Sequence, residues 1–238
     1  FTWEHWPASA RTLGRRGETV YAAAQFEAIG LKLRETGIHL NLAPVLDVAE
    51  DPMATFLQTR IISSDADMAA RIGVAVVEGL HEGGCLAVAK HFPGHGGTTK
   101  DSHDVTPVIE KSAEALATYD LVPFMAAIEG GVDAILVTHI LFPALDETDI
   151  ASVSEPVITG LLREQMGFTG VVISDDFRMG GLTTRYEPGE AAVKFLLAGG
   201  DLIMCGAQPE RQEAILKGLT EAAADGRLSG ERIDESVF

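Results

Sequence analysis

Apolar residues fall at two alternating spacings along this chain. Over 18–36, Tyr21, Ala24, Phe26, Ile29 and Leu33 stand at roughly helical spacing, which predicts an amphipathic helix ended by Gly37. The next run, IHLNLAPVLDV over 38–48, is short and apolar and predicts a strand with Asp47 at its C-terminal end. A loop over 49–64 contains Arg60. Residues 66–82 then predict a helix closed by Gly83 and Gly84, and 86–91 a strand. The alternation continues with a helix over 112–130, kinked or restarted at Pro123, and a strand over 132–139 (VDAILVTH). A helix over 155–166, with Ser154 as its N-cap, leads to a strand over 171–176 (VVISDD). A helix over 188–198, a strand over 201–205 and helices over 210–224 and 230–237 close the chain. Residues 1–17 show no clear period. Trp3 and Trp6 are expected to pack under a loop rather than to stack on a sugar.

Strands alternating with helices imply a parallel sheet. Four of these strands end in polar, chemically capable residues: Asp47, Lys90 with His91, His139, and Asp175 with Asp176. Functional groups at the C-terminal ends of several strands mark an α/β fold of the (β/α)8 TIM-barrel type. The rival, an open doubly wound sheet, usually concentrates function at one switch point. Five strands are predicted rather than eight, so the barrel is short on this chain. No linker or low-complexity segment divides it, and one domain over 1–238 is expected.

Composition narrows the class. With 46% hydrophobic residues among 238, the chain can build one substantial core. A formal net charge of −17 argues against nucleic acid and anionic membranes as partners. No apolar run reaches transmembrane length. Cys85 and Cys205 sit in apolar contexts and are expected to be core thiols rather than a disulfide. A cytoplasmic location is expected, although the chain begins at Phe1 and a secretory leader stays open.

The chemistry concentrates in KHFPGHGGTTKDSHDVTP, residues 90–107. It begins at the end of the strand over 86–91 and brings two lysines, three histidines and two aspartates together around a glycine-rich turn. Asp101 and His103 are two apart, so in an extended loop both side chains share a face. A carboxylate beside an imidazole fixes its tautomer and suits it to proton transfer near neutral pH, although a solvated loop with an incidental histidine has the same sequence. His91 and His95 are four apart, a metal-pair spacing on a helix. Pro93 and Gly94 between them argue against a helix, and neither a metal nor a cofactor is expected.

KHFPGHG followed by Asp101-Ser102-His103 resembles the signature of glycoside hydrolase family 3, and within it the β-N-acetylglucosaminidase branch. Ala43-Pro44-Val45-Leu46-Asp47-Val48, Gly170 to Asp176, and Glu231 to Ser236 are similar to three further family segments in the same order. The resemblance implies a retaining exo-glycosidase acting on terminal β-linked N-acetylglucosamine, in an oligosaccharide or cell-wall fragment. It implies Asp175 as the nucleophile, His103 as the acid/base and Asp101 as its support. Asp47, Arg60, Lys90 and His91 would hold sugar hydroxyls. His95 is expected to shape the loop, Asp176 to stand behind the catalytic residues, and His139 either to face the site or to pack at a strand end. Relative to the family, the first one or two barrel strands are expected to be missing. Ile61-Ile62-Ser63 replaces the usual Ser-Phe-Gly after Arg60, and Arg178 stands where a small residue is usual. A family 3 β-glucosidase, a phosphorylase using phosphate in place of water, a non-catalytic sugar-binding relic and a metal-dependent hydrolase remain as alternatives. Oligomeric state is open.

Overall fold

The computed structural model describes residues 8–237, so Trp3 and Trp6 lie outside the described residues. Two units are formed, one by residues up to Thr99 together with Ala115–Ala134, the other by Lys100–Glu114 together with residues from Ile135 on.

In the first unit, α1 (Ala10–Arg16) is a short helix that the apolar pattern did not predict. Its termini carry the signal instead. Ser9 Oγ accepts from the Thr12 amide, and Gly17 closes the helix in the left-handed region at φ 67°. The predicted helices over 18–36 and 66–82 are α2 (Thr19–Glu35) and α3 (Ala66–Glu82). Asp65 caps α3, its Oδ1 accepting from the amides of Asp67 and Met68 at 2.9 and 3.1 Å. The two helices touch backbone to backbone, because a side chain on Gly79 would collide with the Ala23 carbonyl.

β1 (Leu40–Asn41) pairs in parallel with β2 (Leu86–Phe92), Leu40 opposite Leu86 and Asn41 opposite Ala87. The strand expected over 38–48 is therefore regular for only two residues. The Ala43 amide turns back to the Asn41 carbonyl, and Pro44 has no N–H to contribute. The chain still runs beside β2. Val88 donates to Ala43 O, Lys90 to Pro44 O, and Leu46 to Lys90 O at 2.7 Å. Asp47 is thus delivered to the end of β2.

The helix expected over 112–130 is interrupted as Pro123 requires. It becomes α4 (Ala113–Ala115), a wide π-type turn over Leu116–Asp120, and α5 (Val122–Glu129).

β3 (Ala134–Val137), all but its first residue in the second unit, is buried throughout and neighbours β4 (Val171–Ser174). The helix expected over 155–166 is a π-type helix over Pro156–Gln165, with Ser154 Oγ accepting from the Val157 amide. No regular strand forms over 201–205. Leu202 bridges Ile173 in parallel and its carbonyl accepts from Ser174, but the Met204 amide is taken by Ser174 Oγ. A one-turn helix, α6 (Gly180–Thr183), follows β4. α7 (Pro188–Leu197), α8 (Pro209–Ala224) and α9 (Gly230–Glu235) match the three closing helices within a few residues.

A guanidinium network secures the start of β4. Arg163 Nη2 donates to Asp201 Oδ2 at 2.6 Å and, with Nε, to the Gly199 carbonyl; its Nη1 donates to the Gly170 carbonyl. Arg232 donates to the carbonyls of Leu196 and Gly200 at 2.7 and 2.6 Å. A cavity of about 560 Å³ lies over this network, lined by Arg163, Val171, Asp201 and Arg232, at the end of β4 away from Asp175. Cys85 and Cys205 are free thiols. Among the described residues no helix is long and apolar enough to cross a membrane.

Candidate active site

The residues singled out in the sequence fall into two groups, one in each unit. The group in the first unit is built on Asp47, at the end of the broken strand. Its carboxylate is fully buried and accepts four hydrogen bonds: from His91 Nδ1 at 2.6 Å, from the His91 amide at 3.2 and 3.3 Å, and from the His95 amide at 2.6 Å. Burial alone would push this carboxyl up. The charge and hydrogen bonds of His91, then the charge and amide of His95, outweigh burial and hold it below its ordinary value.

Asp47, expected to hold a sugar hydroxyl, sits against the loop that carries His91 and His95, and both its oxygens accept from that loop. With Nδ1 bonded to Asp47, the buried His91 turns Nε2 toward Arg60 Nη2, 3.5 Å away. Arg60 is exposed and ends a 3-10 turn over Gln58–Arg60. Lys90 is half-buried on β2 beside His91, its backbone pinned on both sides by Pro44 and Leu46. His95 is buried with its ring edge-on to Phe56 at 4.6 Å, the packing role expected of a loop-shaping residue. The peptide bonds Lys90–His91 and Phe92–Pro93 are cis.

The group in the second unit is built on the end of β4. Asp175 is nearly buried, at 9% exposure; its amide donates to Val137 O at 3.0 Å, and its Oδ1 accepts the Asp176 amide at 2.9 Å. A carboxylate held by its own backbone at a strand end has a defined direction. Asp176 is engaged elsewhere: Arg178 grips it through Nε and Nη2, at 2.9 and 2.6 Å to Oδ2. Burial would raise its carboxyl, but the Arg178 bonds and the Gly206 amide bring it below the ordinary value.

His139 is fully buried, so of its two expected places it takes the packed one. Its Nδ1 pairs with Ser152 Oγ at 2.7 Å and its Nε2 with the Asp176 carbonyl at 3.2 Å. A carbonyl can only accept, so Nε2 carries the proton and Nδ1 accepts from Ser152. Burial is the largest influence and depresses its pKa despite the nearby aspartates, which keeps the ring neutral.

Asp101 and His103 are brought together as their spacing predicted. His103 Nδ1 lies 2.6 Å from Asp101 Oδ1, which also accepts the His103 amide at 2.9 Å. The His103 side chain is 61% exposed and that of Asp101 38%. Among the described residues no group of three or more His, Cys, Asp or Glu is placed to hold a metal ion.

The second unit thus offers a carboxylate presented at a strand end and a carboxylate-backed imidazole on an earlier loop. Residues 6–238 match the family model of the glycosyl hydrolase family 3 N terminal domain. The chain belongs to glycosyl hydrolase family 3, and its fold is the TIM-barrel-like α/β fold of that domain. It is 30% identical over 244 residues to β-hexosaminidase A of Pseudoalteromonas piscicida, covering 95% of this chain and 41% of that protein. It is 32% identical over 217 residues to a β-hexosaminidase of Methylobacillus flagellatus, covering 91% and 59%. A solved family 3 β-N-acetylglucosaminidase from Paenibacillus sp. str. FPU-7 superposes with a TM-score of 0.93 at 40% identity, covering 96% of this chain and 44% of that one. The chain thus spans about half the length of the relatives it matches.

Proposed function

We propose that the protein is a retaining exo-β-N-acetylglucosaminidase working through a glycosyl-aspartate intermediate. The observation that carries this reading is the Asp101–His103 pair: an exposed imidazole, backed at 2.6 Å by a carboxylate, in a family whose other catalytic group is a strand-end aspartate. The relatives' names, β-hexosaminidase and β-N-acetylglucosaminidase, support the choice of sugar.

In the first step a carboxylate oxygen of Asp175 attacks the anomeric carbon. Oδ1 is held by the Asp176 amide, so we assign the attack to Oδ2. The bond from the anomeric carbon to the leaving oxygen breaks as His103 Nε2 gives that oxygen its proton. In the second step Nε2 takes a proton from water, the water oxygen attacks the anomeric carbon, and Asp175 leaves as a carboxylate. Nδ1–H stays bonded to Asp101 throughout, which fixes the tautomer and the direction of the ring. A histidine here avoids a second anionic group beside the glycosyl ester. The family resemblance assigns Arg60, Lys90 and His91 to the sugar's hydroxyls, and Asp47 keeps His91 oriented.

The test is turnover of aryl β-N-acetylglucosaminide and aryl β-glucoside by the full-length protein. The first should be cleaved and the second spared. Asp175→Asn should lower turnover by about 10³-fold or more. An inactivating 2-fluoro sugar should label Asp175, and labelling of another residue would refute the assignment.

A further inference from the structure

The turn that carries His103 is internally tied. The Asp101 carbonyl accepts from the amides of Asp104 and Val105, and its side chain from His103. These bonds fix the imidazole relative to its own turn but leave open where the turn sits. The outward-facing backbone decides that. His103 O accepts the Gly180 amide at 2.7 Å and Ser102 O the Gly181 amide at 2.9 Å. Thr106 Oγ1 donates to Gly181 O at 2.8 Å and lies 3.1 Å from Thr184 Oγ1, which itself donates to Gly180 O at 2.7 Å. Ser102 is 1% exposed while the His103 side chain is 61% exposed, so one face of the turn is docked and the imidazole projects from the other.

Neither Gly180 nor Gly181 has positive φ, so the backbone there would accept any residue. What requires glycine is space. A Cβ on Gly180 would collide with the Asp104 carbonyl and approach His103 O to 2.9 Å; one on Gly181 would come within 2.8 Å of His139 O and 3.0 Å of Ser102 O. All are backbone atoms, so the turn would have to retreat. Gly180 lies five residues after Asp175, and the Met179 amide between them donates to Asp176 O. The acid/base turn is therefore seated on the same short segment that presents the nucleophile.

We infer that Gly180 and Gly181 are positioning residues for general acid/base catalysis. Their amides and lack of side chains set the placement of His103 relative to Asp175. The inference rests on the assignment of His103 made above. Misplacement of a proton donor by a fraction of an ångström costs rate only where protonation is needed. A glycoside with a poor leaving group needs it in the first step, whereas a 2,4-dinitrophenyl glycoside departs without it.

In the full-length enzyme, Gly180→Ala should lower kcat/KM for the phenyl glycoside by about 10- to 100-fold and for the dinitrophenyl glycoside by less than about 3-fold. The dependence on leaving-group pKa should steepen as it does in His103→Ala, and the double variant should be no steeper than His103→Ala alone. Thr106→Val removes the hydroxyl without adding bulk, and should steepen the dependence in the same direction; it decides the matter if Gly180→Ala folds poorly. Equal losses on both substrates, or an unchanged dependence, would overturn the inference. If His103→Ala itself fails to steepen the dependence, the acid/base assignment is wrong and the inference falls with it.

Discussion

Asp47 shows how one buried carboxylate organises a loop that is otherwise mostly glycine and histidine. It compensates three N–H groups from a segment more than forty residues away. Removing it leaves His91 Nδ1 and the His95 amide buried without their acceptor. Asp47→Ala should cost about 3–5 kcal/mol of unfolding free energy, read from the denaturant midpoint. Its carboxyl is held below the ordinary 3.8 when folded, so its contribution is fully present above that value and fades as the pH falls through the lowered one. Asp47→Asn should accordingly flatten the loss of stability below about pH 4. A midpoint falling as steeply as in the parent would show that other carboxylates carry the acid sensitivity.

His103 and Asp101 divide their work at the same scale. His103→Ala removes the proposed proton donor and should lower kcat/KM on unactivated substrates by about 10²–10⁴-fold. Asp101→Asn keeps a hydrogen-bond acceptor but loses the charge, so its effect should be smaller and in the same direction. The spacing of two made this pair legible in the sequence, because both groups belong to one turn. The Asp47–His91 pair was not legible as a pair: its members lie on different strands, and only their adjacency in the fold joins them. Arg178 on Asp176 is also two residues away, and the same rule of local reach applies to it.

Among the elements, those with explicit ends were the ones the sequence disclosed. α3 begins after Asp65 and stops at Gly83, and its observed and expected limits agree. Strands disclosed their position but not their length. The segment over 38–48 runs beside β2 yet is broken at Pro44, and 201–205 surrenders an amide to Ser174. α6 was missed because two glycines open it, and glycine is a poor helix former. Those glycines serve the neighbouring turn, a contact across more than seventy residues that no local pattern reveals. The Arg163 network belongs to this scale too, since one guanidinium joins the π-type helix, β4 and the 199–201 segment. Arg163→Ala should lower stability by about 2–4 kcal/mol, less than for a fully buried pair because the side chain is a quarter exposed. The KM of the folded fraction should hold, because the network sits at the end of β4 opposite Asp175.

For the whole molecule, the proposed glycosyl-aspartate leaves open the second nucleophile, water or phosphate. A histidine acid/base adds no carboxylate of its own where phosphate would enter, so that choice of residue alone would admit an anion. Against this stands a net charge of −17. The field of so acidic a surface lowers the local concentration of a dianion, and water at about 55 M pays no such penalty. At physiological ionic strength the screening length is about 8 Å, so the repulsion acts mainly at close approach. Hydrolysis should therefore dominate: in phosphate buffer the full-length enzyme should release free N-acetylglucosamine, with sugar 1-phosphate a minor product. Raising ionic strength with a neutral salt at constant phosphate tests the cause. If long-range charge is the barrier, the phosphorolytic share should climb with salt. A product dominated by sugar 1-phosphate at low salt would show instead that a local anion site overrides the field, and would move the protein from the hydrolases to the phosphorylases of its family.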